Sequence, residues 1–325
     1  MQRRDFCRAL AATGVVLATR ASAQAAPLRV AFVSTDSKDA PSPNFAAFRE
    51  GMRSLGYVEG QNLVLDAWWG DGTAERVTKM IPDIVGSRPN VILAAGGLSL
   101  FPLLRNGVKI PLVFSISADP VEARIVESYA RPGGNVTGIS LFTLELVGKK
   151  LELVRDVLPR AKRIAVVTNP QHPGERKEYD VAQAAAQRLG LSVHYLPVSS
   201  SAQLDVAFAD IVRARDDAII AFADGFTLGH AKRFAEFSRR TRIPAVDGWA
   251  PFAEAGNLMI YGPVIADVYR RLAQYVDRIA KGAAPADLPI ELPTKVELVI
   301  NAGAAKAMGI EVPAAVLARA DRVIA

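Results

Sequence analysis

A chain of 325 residues, half of them hydrophobic and 22% charged, has material for two globular cores and is neither disordered nor fibrous. One cysteine excludes a disulfide framework or a thiolate zinc site, and three scattered histidines argue against an all-histidine metal centre, so no cofactor is expected. The formal charge of +6 first suggests an anionic partner such as nucleic acid or lipid.

The location of that charge argues otherwise. Arginines 3, 4 and 8 precede a small apolar run at 9–18, and Ala21-Ser22-Ala23 follows, which is the layout of an export signal. About ten apolar residues are too few to cross a ~30 Å hydrocarbon layer, so cleavage is expected after residue 23, with a cut as late as 25. Arg3-Arg4 before Asp5-Phe6 leaves both the general secretory and the twin-arginine routes open. Cys7 precedes the apolar run without a lipobox and is read as a bystander. Removing residues 1–23 takes away four arginines, one aspartate and the cysteine, and lowers the charge to +3. Nucleic acid is therefore not an expected partner.

In chain order, short β-branched runs alternate with segments of helical period, the pattern of βα units and parallel sheets. A strand at 28–34 (LRVAFVS) leads to a helix at 44–55 that stops at Gly56. A strand at 62–68 precedes a helix at 74–85 with Thr73 as its cap, and strands follow at 91–95 (VILAA) and 110–115 (IPLVFS). After a helix at 144–158 the order begins again: strand 163–168 (RIAVVT), helix 177–189 stopping at Gly190, short strand 192–196, helix 202–214, strand 218–222, helix 231–240 and short strand 243–246. Two similar open β-α-β-α-β lobes follow from this repeat, and such sheets bind ligands outside the carboxyl ends of their strands. The tail departs from the count, with an extended segment at 256–263, a long helix at 267–281, a proline-rich link, a strand at 295–300 and a helix at 302–308. Elements that return to the first half give several crossings between lobes, which act as a hinge.

Several multi-residue stretches then carry a resemblance. They are 48–60 (FREGMRSLGYVEG), 110–114 (IPLVF), Asp119-Pro120, 130–138 (ARPGGNVTG), Asn169-Pro170, 256–263 (GNLMIYGP), 292–301 (LPTKVELVIN) and 318–321 (ARAD). In this order and spacing the chain resembles the extracytoplasmic solute-binding proteins of ABC importers, in the branch with tryptophan- and tyrosine-binding members. The resemblance implies the type I periplasmic-binding fold: α/β, two Rossmann-like lobes with parallel sheets, joined by a multi-crossover hinge. It implies a periplasmic protein with three crossovers that closes on a small solute and delivers it to an inner-membrane permease with a cytoplasmic ATPase. The expected lobes are 28–136 plus 258–290 and 137–257 plus 291–325, in a monomer. Where the family often has Gly-Thr after its third strand, this chain has Gly96-Gly97, with Ser99 nearby.

A zwitterionic solute needs donors for its carboxylate, a counter-ion for its ammonium and an apolar or aromatic wall. Ser34, Thr35, Gly96, Gly97 and Ser99 are candidate donors. Asp119, Asp224 and Asp247 are candidate ammonium partners, and Trp249 is the preferred wall. Each has a plainer reading: capping for the hydroxyls, an N-cap before Pro120 for Asp119, a turn for Asp224-Gly225. Asn169 is equally a cap or a contact, and Tyr261 equally lines the cleft or packs the hinge. Of Trp68 and Trp69, neighbours on one strand, at most one can face a ligand. The three histidines are expected to be solvated or hydrogen-bonded.

Enzyme signatures are weak. Gly133-Gly134 is a turn and no dinucleotide fingerprint, there is no phosphate-binding GxxxxGK run, and no GxSxG elbow is complete. A two-lobed transcription regulator would need a DNA-binding headpiece, and only about 27 residues precede the first strand. The expectation is a non-enzymatic solute-binding component of an ABC importer, with an aromatic or hydrophobic amino acid as ligand. An aromatic acid, a branched amino acid and a purine-like solute are the alternatives for the ligand. An exported sensor of the same fold and, further off, an exported α/β enzyme are the alternatives for the function.

Overall fold

Alternation along single strands builds the first lobe. In β1 (Leu28–Ser34), Val30 and Phe32 enter one core cluster and Ala31 and Val33 the opposite one, as a strand buried on both faces requires. The computed structural model describes residues 26–39, 42–141, 144–172 and 174–325. The expected export signal at 1–23, with its cut up to 25, lies outside the described residues.

After β1 come α1 (Pro43–Ser54), β2 (Leu63–Trp69), α2 (Ala74–Gly86), β3 (Val91–Ala95), α3 (Gly97–Arg105), β4 (Leu112–Ile116) and β5 (Val136–Ser140). All pair in parallel, in the order β2-β1-β3-β4-β5. Thr73 caps α2 as expected, its Oγ1 accepting from Arg76 N at 3.3 Å. On one face α2 and α3 bring Val77, Ile84, Leu100 and Leu103. On the other, α1 brings Phe48 and Met52.

The second lobe holds α4 (Glu145–Val157), β6 (Arg163–Thr168), α5 (Glu175–Arg188), β7 (Ser192–Pro197), α6 (Ser201–Ala214), β8 (Ala218–Ala221), α7 (Gly225–Gly229), α8 (Ala231–Thr241), β9 (Ala245–Asp247), α9 (Ala250–Glu254) and β10 (Met259–Pro263). Its strands run β7-β6-β8-β9-β10, the same topology as the first lobe, so the sequence repeat is a structural one. Then α10 (Ile265–Ala280) returns to the first lobe and sets Val268, Tyr269, Leu272 and Val276 into its core beside α1. A short turn (Pro285–Asp287) follows. The chain re-enters the second lobe as β11 (Val296–Asn301), antiparallel to β10, with α11 (Ala302–Met308), α12 (Ala314–Leu317) and β12 (Arg322–Ile324). The chain thus passes between the lobes three times.

Two boundaries differ from expectation. The first lobe, expected to end at 136, keeps the whole of β5, and residues 259–263, expected in it, form β10 of the second sheet. Both strands hold a close-packed glycine, and in β5 it hides the strand from the sequence reading. Gly138, with φ 154, lies so close to Phe114 that a Cβ would meet its backbone, and at Gly262 a Cβ would collide with Gly248. Glycine reads as a strand breaker in sequence, yet at these positions the pairing depends on it.

Candidate functional site

The carboxyl ends of both parallel sheets meet at one cleft. In a 2-1-3-4-5 sheet the crevice opens where the order reverses, here between β1 and β3 and between β6 and β8. On the first lobe, Ser34 ends β1 and is buried, its Oγ accepting from Asp36 N at 3.0 Å, while Thr35 is half-buried and its carbonyl accepts from Gly72 N. Gly96, with φ 91, is the N-cap of α3, and its N–H donates to Ser115 O at 2.8 Å. The N–H groups of Gly97 and Leu98 lie in the first turn, ahead of the intrahelical bonds. Ser99 in that turn is fully buried, and its Oγ has no hydrogen-bond partner among the described residues. A hydroxyl and helix N–H groups at this end suit a carboxylate.

Asp119 fulfils its capping reading, since Oδ1 accepts from Val121 N at 2.9 Å and Glu122 N at 3.3 Å. It also reaches across the cleft. Its Oδ2 is 3.4 Å from Nζ of Lys177 on α5, which also pairs with Glu122 at 2.9 Å. Beside them Ser117 Oγ meets His172 Nε2 at 2.8 Å, a second bond between lobes. Burial pushes the His172 pKa down from the ordinary imidazole range, with Asp224 and Glu175 opposing.

The second lobe supplies the acids. Asp224 follows β8 and caps α7 in a capping box, Oδ1 accepting from Thr227 N at 2.7 Å. Its Oδ2 accepts from Asn169 Nδ2 at 2.8 Å, while Asn169 Oδ1 accepts from Gln171 N, so Asn169 is both a turn residue and a partner of the cluster. Asp247 ends β9, fully buried; Oδ1 accepts from the N–H groups of Gly248 and Trp249, and Oδ2 has no partner among the described residues. Burial pushes its carboxyl up to about 7, against Lys150 and two backbone N–H groups, with Asp224 adding to the rise. Asn169, His172, Glu175, Glu178, Phe222 and Asp224 enclose a cavity of about 10 Å³, room for about one water molecule. Glu178 is also pushed up to about 7 by burial, opposed by Lys150 and reinforced by Asp247, Asp224 and Glu175.

The aromatic candidates divide. Trp249 is half-buried at the N-cap of α9, its backbone bonded to Asp247. Tyr261 sits mid-β10, half-buried against the second-lobe core. Trp69 packs on Phe45 and Phe32 inside the first lobe, and Trp68 goes to the opposite core. His194 bonds Asp216 and His230 bonds Ser201, so with His172 all three histidines are hydrogen-bonded. Sequence reasoning did not single out Lys150, Glu175, Glu178, Lys177 or Ser117.

Residues 29–324 match the family described as ABC transporter substrate binding protein. The chain belongs to that family. Its members are binding proteins, and they serve ABC permeases as the capturing component. A tyrosine-binding protein of Clostridioides difficile (strain R20291) is 22% identical over 264 residues, covering 81% of this chain and 76% of that one. Among solved structures, a conserved domain protein from Vibrio cholerae is 27% identical with TM-score 0.81, covering 91% of this chain and 99% of that chain. An ABC domain in complex with L-Trp from Streptococcus pneumonia is 22% identical with TM-score 0.83, covering 92% and 100%. The fold is the two-lobed, type I periplasmic-binding architecture, with the parallel sheets and multi-crossover hinge expected. No helix among the described residues is long and apolar enough to cross a membrane.

Proposed function

We propose that this ABC substrate-binding protein works outside the cytoplasm, in the periplasm, as a monomer that captures an aromatic or other hydrophobic amino acid between its lobes. It hands the solute to an inner-membrane permease with a cytoplasmic ATPase and does no chemistry on it. The observation that carries this reading is the polarity of the cleft. The α3 N-terminus with the unpartnered Ser99 hydroxyl stands on one lobe, and carboxylates with unpartnered oxygens stand on the other. A zwitterion laid across the cleft gives its carboxylate to the first lobe and its ammonium to the second, so it stabilises the closed state over the open one. Phe222 lines the cavity with the acids, and Trp249 follows Asp247 closely enough to donate its backbone N–H to Oδ1. The tyrosine-binding relative and the L-Trp complex support the choice of solute.

Thermal-shift and calorimetric screening of the mature chain tests it, since a solute that binds only the folded state raises its stability. Tyrosine, tryptophan or phenylalanine should raise the melting temperature, and Asp224→Asn, which retains an oxygen for the α7 cap, should weaken the best of them about 10- to 100-fold. Shifts by sugars or nucleobases with none by amino acids would refute the assignment.

A further inference from the structure

Beside the acids lies a buried charge that solute capture leaves without a task. Lys150, on α4 just past the first lobe crossing, is 4% exposed. Its Nζ is 5.9 Å from the centre of the Phe222 ring, and it lies against Gly248, where a Cβ would stand 3.9 Å from the nitrogen, at ordinary van der Waals distance. Its charge acts on Asp247 from β9 and Glu178 from α5, and these two acids interact in turn with Asp224 from the end of β8 and, for Glu178, with Glu175 of α5. Tyr195 of β7 stands beside Glu175, and His172, its pKa pushed down by burial, is a further titratable group here.

Among the described residues, none of these four carboxyls forms an ion pair with lysine or arginine, and Lys150 forms none either. Glu175 Oε1 and Asp247 Oδ2 are buried without a hydrogen-bond partner, in residues 7% and 0% exposed, and Glu175 lines the cavity. Buried carboxylates that are neither paired nor protonated are strongly unfavourable, so this pocket calls for positive charge. Lys150 is a resident cation that supplies part of that demand while Glu175 Oε1 and Asp247 Oδ2 stay without a partner. Its charge opposes the upward shift of both Asp247 and Glu178.

We propose that Lys150 is a specificity-determining residue of the cleft: it takes the place of a second cationic group among the carboxyls, so the pocket accepts solutes with a single ammonium and turns away diamines and basic amino acids. It does so as a positioning residue, by setting the charge of Asp247 and Glu178. This inference rests on the amino-acid-binding reading.

The test is calorimetry on the mature chain and its Lys150→Met and Lys150→Arg variants, between pH 6 and 9. L-Tyrosine and L-tryptophan supply one ammonium; 4-aminomethyl-L-phenylalanine and L-lysine supply two. The wild type should favour the first pair. Lys150→Met should move the affinity ratio about tenfold or more toward the second pair at pH 8, and move the pH at which tyrosine binding strengthens upward by about one unit. Lys150→Arg, which keeps the charge, should retain the wild-type ratio. A folded Lys150→Met protein with unchanged ratio and pH profile overturns the inference and leaves the amino-acid reading intact. If that variant does not fold, Lys150→Gln is read in the same way. A wild type that binds the dicationic probes as tightly as tyrosine also overturns the inference, and one that binds none of the four probes rejects both.

Discussion

Asp247 and Glu178 carry the sharpest consequence at the level of single residues. Each has a folded-state pKa pushed up to about 7, above its value in an unfolded chain. Between about pH 4 and 7 the folded protein therefore holds protons that the unfolded chain has released, so stability is greatest toward the acid side and falls as pH rises through that window. The ligand-free protein should melt several degrees lower at pH 8 than at pH 5.5, and Asp247→Asn should flatten that slope in a scan of melting temperature against pH. A slope unchanged in the variant would place the protons elsewhere. The aspartates were legible in the sequence because they follow recognisable strands. Lys150 was legible in a different way that went unused: it interrupts the apolar stripe Val147, Leu151, Val154 of its helix, where a charge is out of place unless something buried needs it. Glu175 and Glu178 had no such mark. Acids in the first turn of a helix are ordinary dipole partners, and only the turn after β6 shows that these face the cleft.

Among the elements, strands β1, β3 and β6 match the sequence reading residue for residue, since each is a short β-branched run buried on both faces. Of the elements that stayed hidden, two did so for chemical reasons. The glycine in β5 reads as a break, and α3 begins on Gly96-Gly97 and carries Pro102 inside, so its period is short and interrupted. Yet α3 supplies the first lobe's donors. On the facing side, α5 carries Lys177, whose two carboxylate partners stand on the other lobe. With its side chain 47% exposed this bridge is worth no more than about 1 kcal/mol. A bridge that joins the lobes in the closed form alone adds that energy to the binding constant. Lys177→Ala should weaken solute binding about two- to fivefold, with the wild type losing the same advantage in high salt, as fluorescence or calorimetric titration would show. No change in affinity at low salt would mean that the bridge persists in the open form.

For the whole molecule, the sequence repeat foretold the two lobes, and the tail foretold a return crossing. What it did not mark was that β11 and β12 extend the second sheet beyond the repeated unit, because a run such as 292–301 is equally apolar wherever it pairs. The three crossings interleave the lobes along the chain. The face of the first sheet that holds Val30 and Phe32 is covered by Phe48 of α1 and by Val268, Leu272 and Val276 of α10. A chain ending at residue 263 should therefore expose this face, bind a hydrophobic dye and be cut rapidly by protease in the first lobe. Resistance equal to the full chain would refute the dependence.

That arrangement also imposes an order in time. A chain synthesised or threaded from its N-terminus presents β1 to β5 first, but the helix that seals them follows all the strands from β6 to β10. The earliest sheet must wait, one side greasy and open, until the other lobe has emerged. The interval between those events is when the protein is most exposed to aggregation, and when a holding factor would protect it most.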